Sequence, residues 1–396
     1  MSYRQSSNWH SWRNTRKYSL SGMLNHLFQL SQVLKRPSKR AFTMLLAVSL
    51  GFCLLISACK KDTDLAEQSL NSQTQLVSQK NKPIELNIVS FAVTRAAYAN
   101  IIPLFQHKWQ QEQNQEVRFR LSNAGSSTQA SAVVNGLPAD VVHLALSLDI
   151  NHIQKAGLIQ PGWEQEAPNH SIVTSTIGVI VTRAGNPKNI RTWADLGNTG
   201  VSVVTADPKT SGIARWNFLA FWGSVTQTGG TEAQALDFVT RVYENVNVLA
   251  KDARDATDIF LRRKQGDVLI NYENELILAS QEGLAKDNFS VIPQINISID
   301  NPIAVVDKNV DRRGTRQVAE AFVKFLYTPE AQREFAKVGF RPFNPTLVQE
   351  FSRKYPPINK LFTVQTLGGW SAVQEKFFKD GGVFDQIQAY IHSRTD

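Results

Sequence analysis

Cysteine is nearly absent. The 396-residue chain has two, Cys53 and Cys59, and none beyond. That excludes a disulfide framework, a thiolate metal cluster and a cysteine nucleophile from everything after residue 59. Acidic residues are missing from the first 58 positions, which hold eight basic ones (Arg4, Arg13, Arg16, Lys17, Lys35, Arg36, Lys39 and Arg40). Nearly all of the formal charge of +9 therefore sits in this leader, and the remainder carries 35 basic residues against 34 acidic ones. A near-neutral body lacks the basic footprint of nucleic-acid binding. No apolar run reaches the roughly 20 residues of a membrane span. The HExxH, GxSxG and Walker signatures are absent too, which removes the common metalloprotease, hydrolase and nucleotide sites. The histidines beyond residue 59 are scattered. Among them His143 reads as a hydrogen-bonded core residue. Glu273 and Glu275 point to different faces if helical, which suits a structural role better than an acid/base pair. Trp216 and Trp222 read as core or lobe–lobe packing.

What is present begins with the leader. Residues 41–56 follow Lys39-Arg40 and are apolar but for Thr43, Ser49 and Gly51. A basic region, a short apolar core and small residues at the end form an export signal. Ile56-Ser57-Ala58-Cys59 resembles a bacterial lipobox, which implies cleavage before Cys59 and a lipid on its thiol. The expected organisation is a signal at 1–58 and a polar, lipid-anchored flexible tether at 59–82. As a coil the tether would span roughly 25–30 Å.

From residue 83 onward, strand and helix signals alternate. Strands are expected at 84–91, 117–121, 139–145, 176–182, 201–204 and 267–270. Helices are expected at 96–109, 212–223, 231–243, 254–264, 315–327 and 329–337. This rhythm points to a mainly parallel α/β architecture. Four turns rich in small and hydroxyl residues lie where an extended segment meets a helix: 90–95 (SFAVTR), 122–129 (SNAGSSTQ), 208–215 (PKTSGIAR) and 251–257 (KDARDAT). A helix start leaves backbone N–H groups without partners and carries the positive end of the helix dipole, so it favours an anion. For one isolated turn, ordinary capping accounts for the same residues.

The third turn opens a longer segment, 207–223 (DPKTSGIARWNFLAFWG). It resembles the hallmark of bacterial periplasmic sulfate-binding proteins, the receptors of sulfate/thiosulfate ABC importers. GLPADVV at 136–142, GNPK at 185–188, GDVLINYEN at 266–274, RPF at 341–343 and GGW at 368–370 fit in the same order. The resemblance covers about residues 84–390. It implies an α/β, two-lobe periplasmic-binding-protein fold of type II, with the ligand in a cleft between lobes. Lobe 1 would span 83–172 with a return segment near 275–310. Lobe 2 would span 173–274, with C-terminal helical segments 311–396 packing on the lobes.

The resemblance also implies function. The chain would be a monomeric periplasmic receptor that takes no cofactor or metal, binds no nucleic acid and is not an enzyme. It would hand sulfate to an inner-membrane ABC permease. Carried over position by position, Ala92, Ser126, Gly212, Ile213 and Ala253 fall on backbone donors. Ser211 falls on the hydroxyl donor and Tyr272 on an indole donor. Thr94, Arg95 and Arg254 would stand behind them. The family's first-turn Asp-Pro is Ala92-Val93 here, its second third-turn glycine is Ile213, and two small positions are Asp252 and Asp255. Sulfate carries no proton at neutral pH and needs only donors, whereas phosphate needs an acceptor. The expectation is that both aspartates face solvent and Tyr272 donates. A receptor for phosphate, molybdate or another oxyanion is the alternative, and an extracytoplasmic enzyme a more distant one.

Overall fold

A computed structural model describes residues 82–395. The expected signal, the expected tether up to residue 81 and the expected lipidation residue Cys59 lie outside the described residues. Twelve strands follow in chain order: β1 (Ile84–Phe91), β2 (Val117–Ala124), β3 (Val141–His143), β4 (Ile172–Thr176), β5 (Gly178–Thr182), β6 (Val203–Ala206), β7 (Val246–Ala250), β8 (Val268–Tyr272), β9 (Phe289–Val291), β10 (Ile295–Ile297), β11 (Ile299–Val305) and β12 (Lys360–Phe362). Two five-stranded sheets form two lobes, in the orders β2-β1-β3-β11-β4 and β7-β6-β8-β5-β9. The topology repeats. In each, three parallel strands lie side by side (β2, β1, β3 and β7, β6, β8). A fourth strand joins antiparallel (β11 or β5), followed by an edge strand.

The local chemistry explains which strands sit centrally. β3, β5 and β8 are buried at every residue, so their largely apolar runs, with only His143, Thr182 and Asn271 polar, suit a sheet covered on both faces. β2 alternates and lies at an edge. In the first lobe, the helix Arg95–Gln113 connects β1 to β2, and the helices Arg316–Leu326 and Pro329–Lys337 pack with it. Tyr98 and Phe105 meet Phe322, and Tyr98 also meets Phe335. In the second lobe, the helix Gly212–Thr226 is buried for most of its length. Phe218 there contacts Phe377, Phe378 and Phe384 of the C-terminal segment.

Sheet membership differs from the expected lobe boundaries. β4 belongs to the first sheet, so the chain crosses at Ile177 and not at 172/173. The helix Glu273–Gln281 and β9 lie with the second sheet, so the return begins at β11 and not near 275. β11 itself has no counterpart among the expected strands, because Pro302 reads as a breaker. The ladder absorbs it through a register shift between Asn301 and Pro302. The expected strand 176–182 divides at Ile177, and the expected helix 254–264 is an α-helical turn, Ala253–Thr257, that widens into a π-turn over Asp258–Arg262. A third crossing carries the C-terminal segment to the second lobe, where β12 pairs with β10. There Arg341 bridges Ser175 of β4 through its backbone, while its guanidinium grips Glu273 at 2.6 and 2.8 Å. That pair gives Glu273 a structural role.

Candidate functional site

The four helix starts all follow parallel strands at their C-terminal ends, where ligands of open α/β sheets bind. Ala92 follows β1 and Ser126 follows β2. Ser211-Gly212 follows β6, Ala253 follows β7, and Tyr272 closes β8. Neighbouring strands in each sheet therefore bring the turns together within a lobe, and the lobes bring the two sets face to face. A Cβ placed on Gly125 would lie 2.5 Å from the Thr210 carbonyl oxygen and 3.3 Å from that of Lys251. One placed on Gly212 would lie 2.5 Å from Cβ of Ala145 and 3.4 Å from Cβ of Ser126. Only glycine allows these approaches. Thr210 Oγ1 donates to the Lys251 carbonyl at 2.8 Å, and Asn271 Nδ2 donates to the Ala253 carbonyl at 2.7 Å. These bonds lock the third and fourth turns to each other and to the end of β8. Residues 92–94 touch 253–257, and the Phe91 ring meets that of Tyr272 at 6.0 Å.

The donors are neutral. The first amides of each helix have no intrahelical acceptor, and the helices from Ser126 and Gly212 have no acidic residue in their first turn. Ser211 is buried at the N-cap position, yet its side chain does not cap its helix and has no hydrogen-bond partner among the described residues. Tyr272 is 1% exposed, and its hydroxyl likewise has no hydrogen-bond partner among the described residues. Burial, reinforced by the charges of Asp149 and Glu275, pushes its phenol well above the ordinary value. The group stays protonated and can donate. Ile213 keeps its N–H while its side chain packs into the hydrophobic core.

The supporting residues are fixed from behind. Thr94 Oγ1 donates to the Phe91 carbonyl at 2.9 Å and shares a hydrogen bond with Ser90 Oγ, bracing the first turn. Arg254 pairs with the buried Glu275 at 3.0 Å. Burial pushes that carboxyl up to about 7, against the opposing pull of Arg254 and of a hydrogen bond from Thr257. Arg95 is exposed and makes no pair. It lines a cavity of about 510 Å³ beside Ala92, Lys251, Asp252 and Arg254.

Asp252 corrects an expectation. It does not face solvent: it is 8% exposed and caps its own helix, accepting from the Asp255 amide at 2.9 Å. Asp255 turns back to the Lys251 amide at 3.3 Å and to Arg263 at 3.6 Å. Both carboxylates are thus engaged by their own turn.

One group had no signal in the sequence. Asp149, near the start of the helix Ser147–Lys155, is buried beneath the second turn. Ser126 Oγ donates to it at 2.5 Å and Ser127 Oγ at 3.0 Å, and Arg215 of the opposite lobe stands 3.8 Å away. Burial raises its pKa, and Arg215 and the two serines counter it. The Ser126 hydroxyl is consumed by this network, which leaves its backbone N–H as the group free for a ligand. His143 is a core residue: its ring nitrogens meet Tyr98 Oη and Thr174 Oγ1, and burial lowers its pKa to about 3.

The arrangement can hold one compact anion by aimed dipoles. Residues 86–341 match the bacterial extracellular solute-binding protein family. A sulfate-binding protein of Synechococcus elongatus is 52% identical over 358 residues, covering 90% of this chain and 99% of that protein. A thiosulfate-binding protein of Pseudomonas aeruginosa is 38% identical, covering 76% of this chain and 90% of its own. The solved structure of the sulfate-binding protein SubI from Mycobacterium tuberculosis superposes with a TM-score of 0.69 at 35% identity, covering 75% of this chain and all of that one. In fold and in sequence, the chain belongs to the bacterial extracellular solute-binding proteins.

Proposed function

We propose that this protein captures sulfate outside the cytoplasm and delivers it to an ABC permease. The observation that carries the reading is the meeting of four helix starts with two unbonded neutral hydroxyls, Ser211 Oγ and Tyr272 Oη, in a closed seam between lobes. The backbone donors are Ala92, Ser126, Gly212, Ile213 and Ala253. Dipoles aimed into a water-excluded site hold a dianion without a neutralising cation. The nearby carboxylates of Asp149, Asp252 and Asp255 already accept hydrogen bonds from the protein. Their engagement disfavours the proton of phosphate, which needs an acceptor turned toward the ligand. A buried mismatch of that kind costs about 1–3 kcal/mol.

Function follows from the two lobes. Each supplies part of the donor set, so the anion favours the closed form by contacts made only there. The closed receptor docks on the permease and releases sulfate unchanged. A lipid on Cys59 and the tether keep the monomeric body at the membrane. Titration calorimetry with sulfate, thiosulfate, phosphate and molybdate tests the reading. Sulfate binding at least tenfold tighter than phosphate at pH 7.5 is expected, and the reverse order refutes it. Loss of fatty-acid labelling in Cys59→Ala tests the anchor.

A further inference from the structure

The helix that opens with Gly212 reaches into the other lobe with more than its N-terminus. Trp216, one turn on, is fully buried, and its indole N–H donates to the carbonyl of Ala145 at 2.8 Å. Ala145 lies just past β3 in the first lobe. Its own N–H donates to Ser126 Oγ at 2.9 Å, and Ser126 Oγ donates in turn to Asp149. Asp149 faces Arg215, the residue before Trp216. Two adjacent side chains of one lobe thus hold the two ends of the network that seats Ser126 in the other. On its second face the indole meets Trp370 edge-on, with ring centroids 4.6 Å apart at 79°.

The geometry makes this bond dependent on closure. Ala145 and Gly212 approach too closely for another methyl group, so any widening of the cleft separates Ala145 from Trp216. The Ala145 carbonyl does not go unpaired when that happens. Asn301 Nδ2, from β11 of the same lobe, also donates to it at 3.3 Å. The open form therefore keeps a partner for the acceptor and gives the indole N–H to water. Breaking the bond is cheap enough to be reversible. The Arg341–Glu273 pair, by contrast, sits where the chain crosses between lobes.

We propose that Trp216 is a positioning residue for ligand capture: its cross-lobe hydrogen bond forms on closure and presses the Ser126 turn against the Gly212 helix start without touching the anion. The inference rests on the sulfate-receptor reading. An added bond in the closed state alone raises the closed population and so tightens apparent affinity.

The test uses the purified full chain. Trp216→Phe keeps the ring packing and removes the N–H. The expected result is a sulfate Kd about three- to tenfold weaker, carried by faster dissociation in stopped-flow. The thermal midpoint of the ligand-free protein should hold, as should the ratio of sulfate to thiosulfate affinity. A Kd within twofold of wild type overturns the proposal, as does a loss of ligand-free stability that accounts for the weakening. The unmodified protein gives a second readout that needs no variant. By NMR, the assigned Trp216 indole N–H should exchange with solvent at least tenfold more slowly in saturating sulfate than without it, and equal rates overturn the latch. A wild-type protein that binds no sulfate overturns both the function and the latch, whereas wild-type binding with an unshifted variant and unshifted exchange overturns the latch alone.

Discussion

Replacing Ser211 with alanine removes a hydroxyl on which the fold does not depend. The residue is 3% exposed, so bulk solvent is largely kept from the hydroxyl in the closed form. Its side chain makes no cap for the helix Gly212–Thr226, so the usual penalty for deleting an N-cap serine does not arise. Its backbone N–H still donates to the Asp207 carbonyl at 2.9 Å and keeps the turn in shape. All of the expected effect falls on binding. A hydrogen bond to a charged group contributes about 1.5–3 kcal/mol, which converts to a Kd roughly 10- to 150-fold weaker. Calorimetric titration with sulfate measures this, and thermal melts of ligand-free wild type and Ser211→Ala serve as the control. The midpoints should coincide. An unchanged Kd would remove Ser211 from the site. A large drop in the ligand-free midpoint would show that the hydroxyl serves the fold.

Two further predictions address closure and pH. In Gly212→Ala, the new methyl would sit 2.5 Å from Cβ of Ala145, closer than atoms can approach. The open lobes accommodate it, so ligand-free stability should hold while sulfate affinity falls at least tenfold by calorimetry; affinity within twofold of wild type would show that the lobes need not meet there. Burial holds the Glu275 carboxyl at about 7, above its unfolded value of roughly 4.3. Between those values the folded protein keeps a proton that the unfolded chain has lost, so stability from this group grows as pH falls through 7 toward 4.5. Wild type should gain in thermal midpoint from pH 8 to pH 5.5 relative to Glu275→Gln, and identical pH profiles would refute the burial argument.

How much of this was readable beforehand depends on the range of the forces involved. The central strands were legible because a strand covered on both faces is mostly apolar, as in β5 and β8, where Thr182 and Asn271 are the polar exceptions. β11 was not, because Asp300, Asn301 and Pro302 carry turn chemistry locally, and only a bulged ladder with β4 overrides it. Asp252 was read as solvent-facing because a carboxylate turned toward the ligand would oppose a dianion. The structure turns it onto its own helix, since an amide without a partner is the nearest donor. The family resemblance supplied Ser211 and Tyr272 as donors, and their burial without partners supports those roles. Nothing marked Asp149, whose importance comes entirely from what faces it.

The sequence by itself determined the near-neutral body behind a basic N-terminal stretch, the α/β class, and the helix starts at the four small-residue turns. Those follow from charge counting, from apolar periodicity and from capping chemistry that acts over a few residues. Tertiary structure decided that the starts at 92, 126, 212 and 253 meet at one seam, and that Trp216 and Arg215 reach across it. These contacts join residues far apart in the chain, and their energies depend on strand order and lobe packing, which no local pattern encodes.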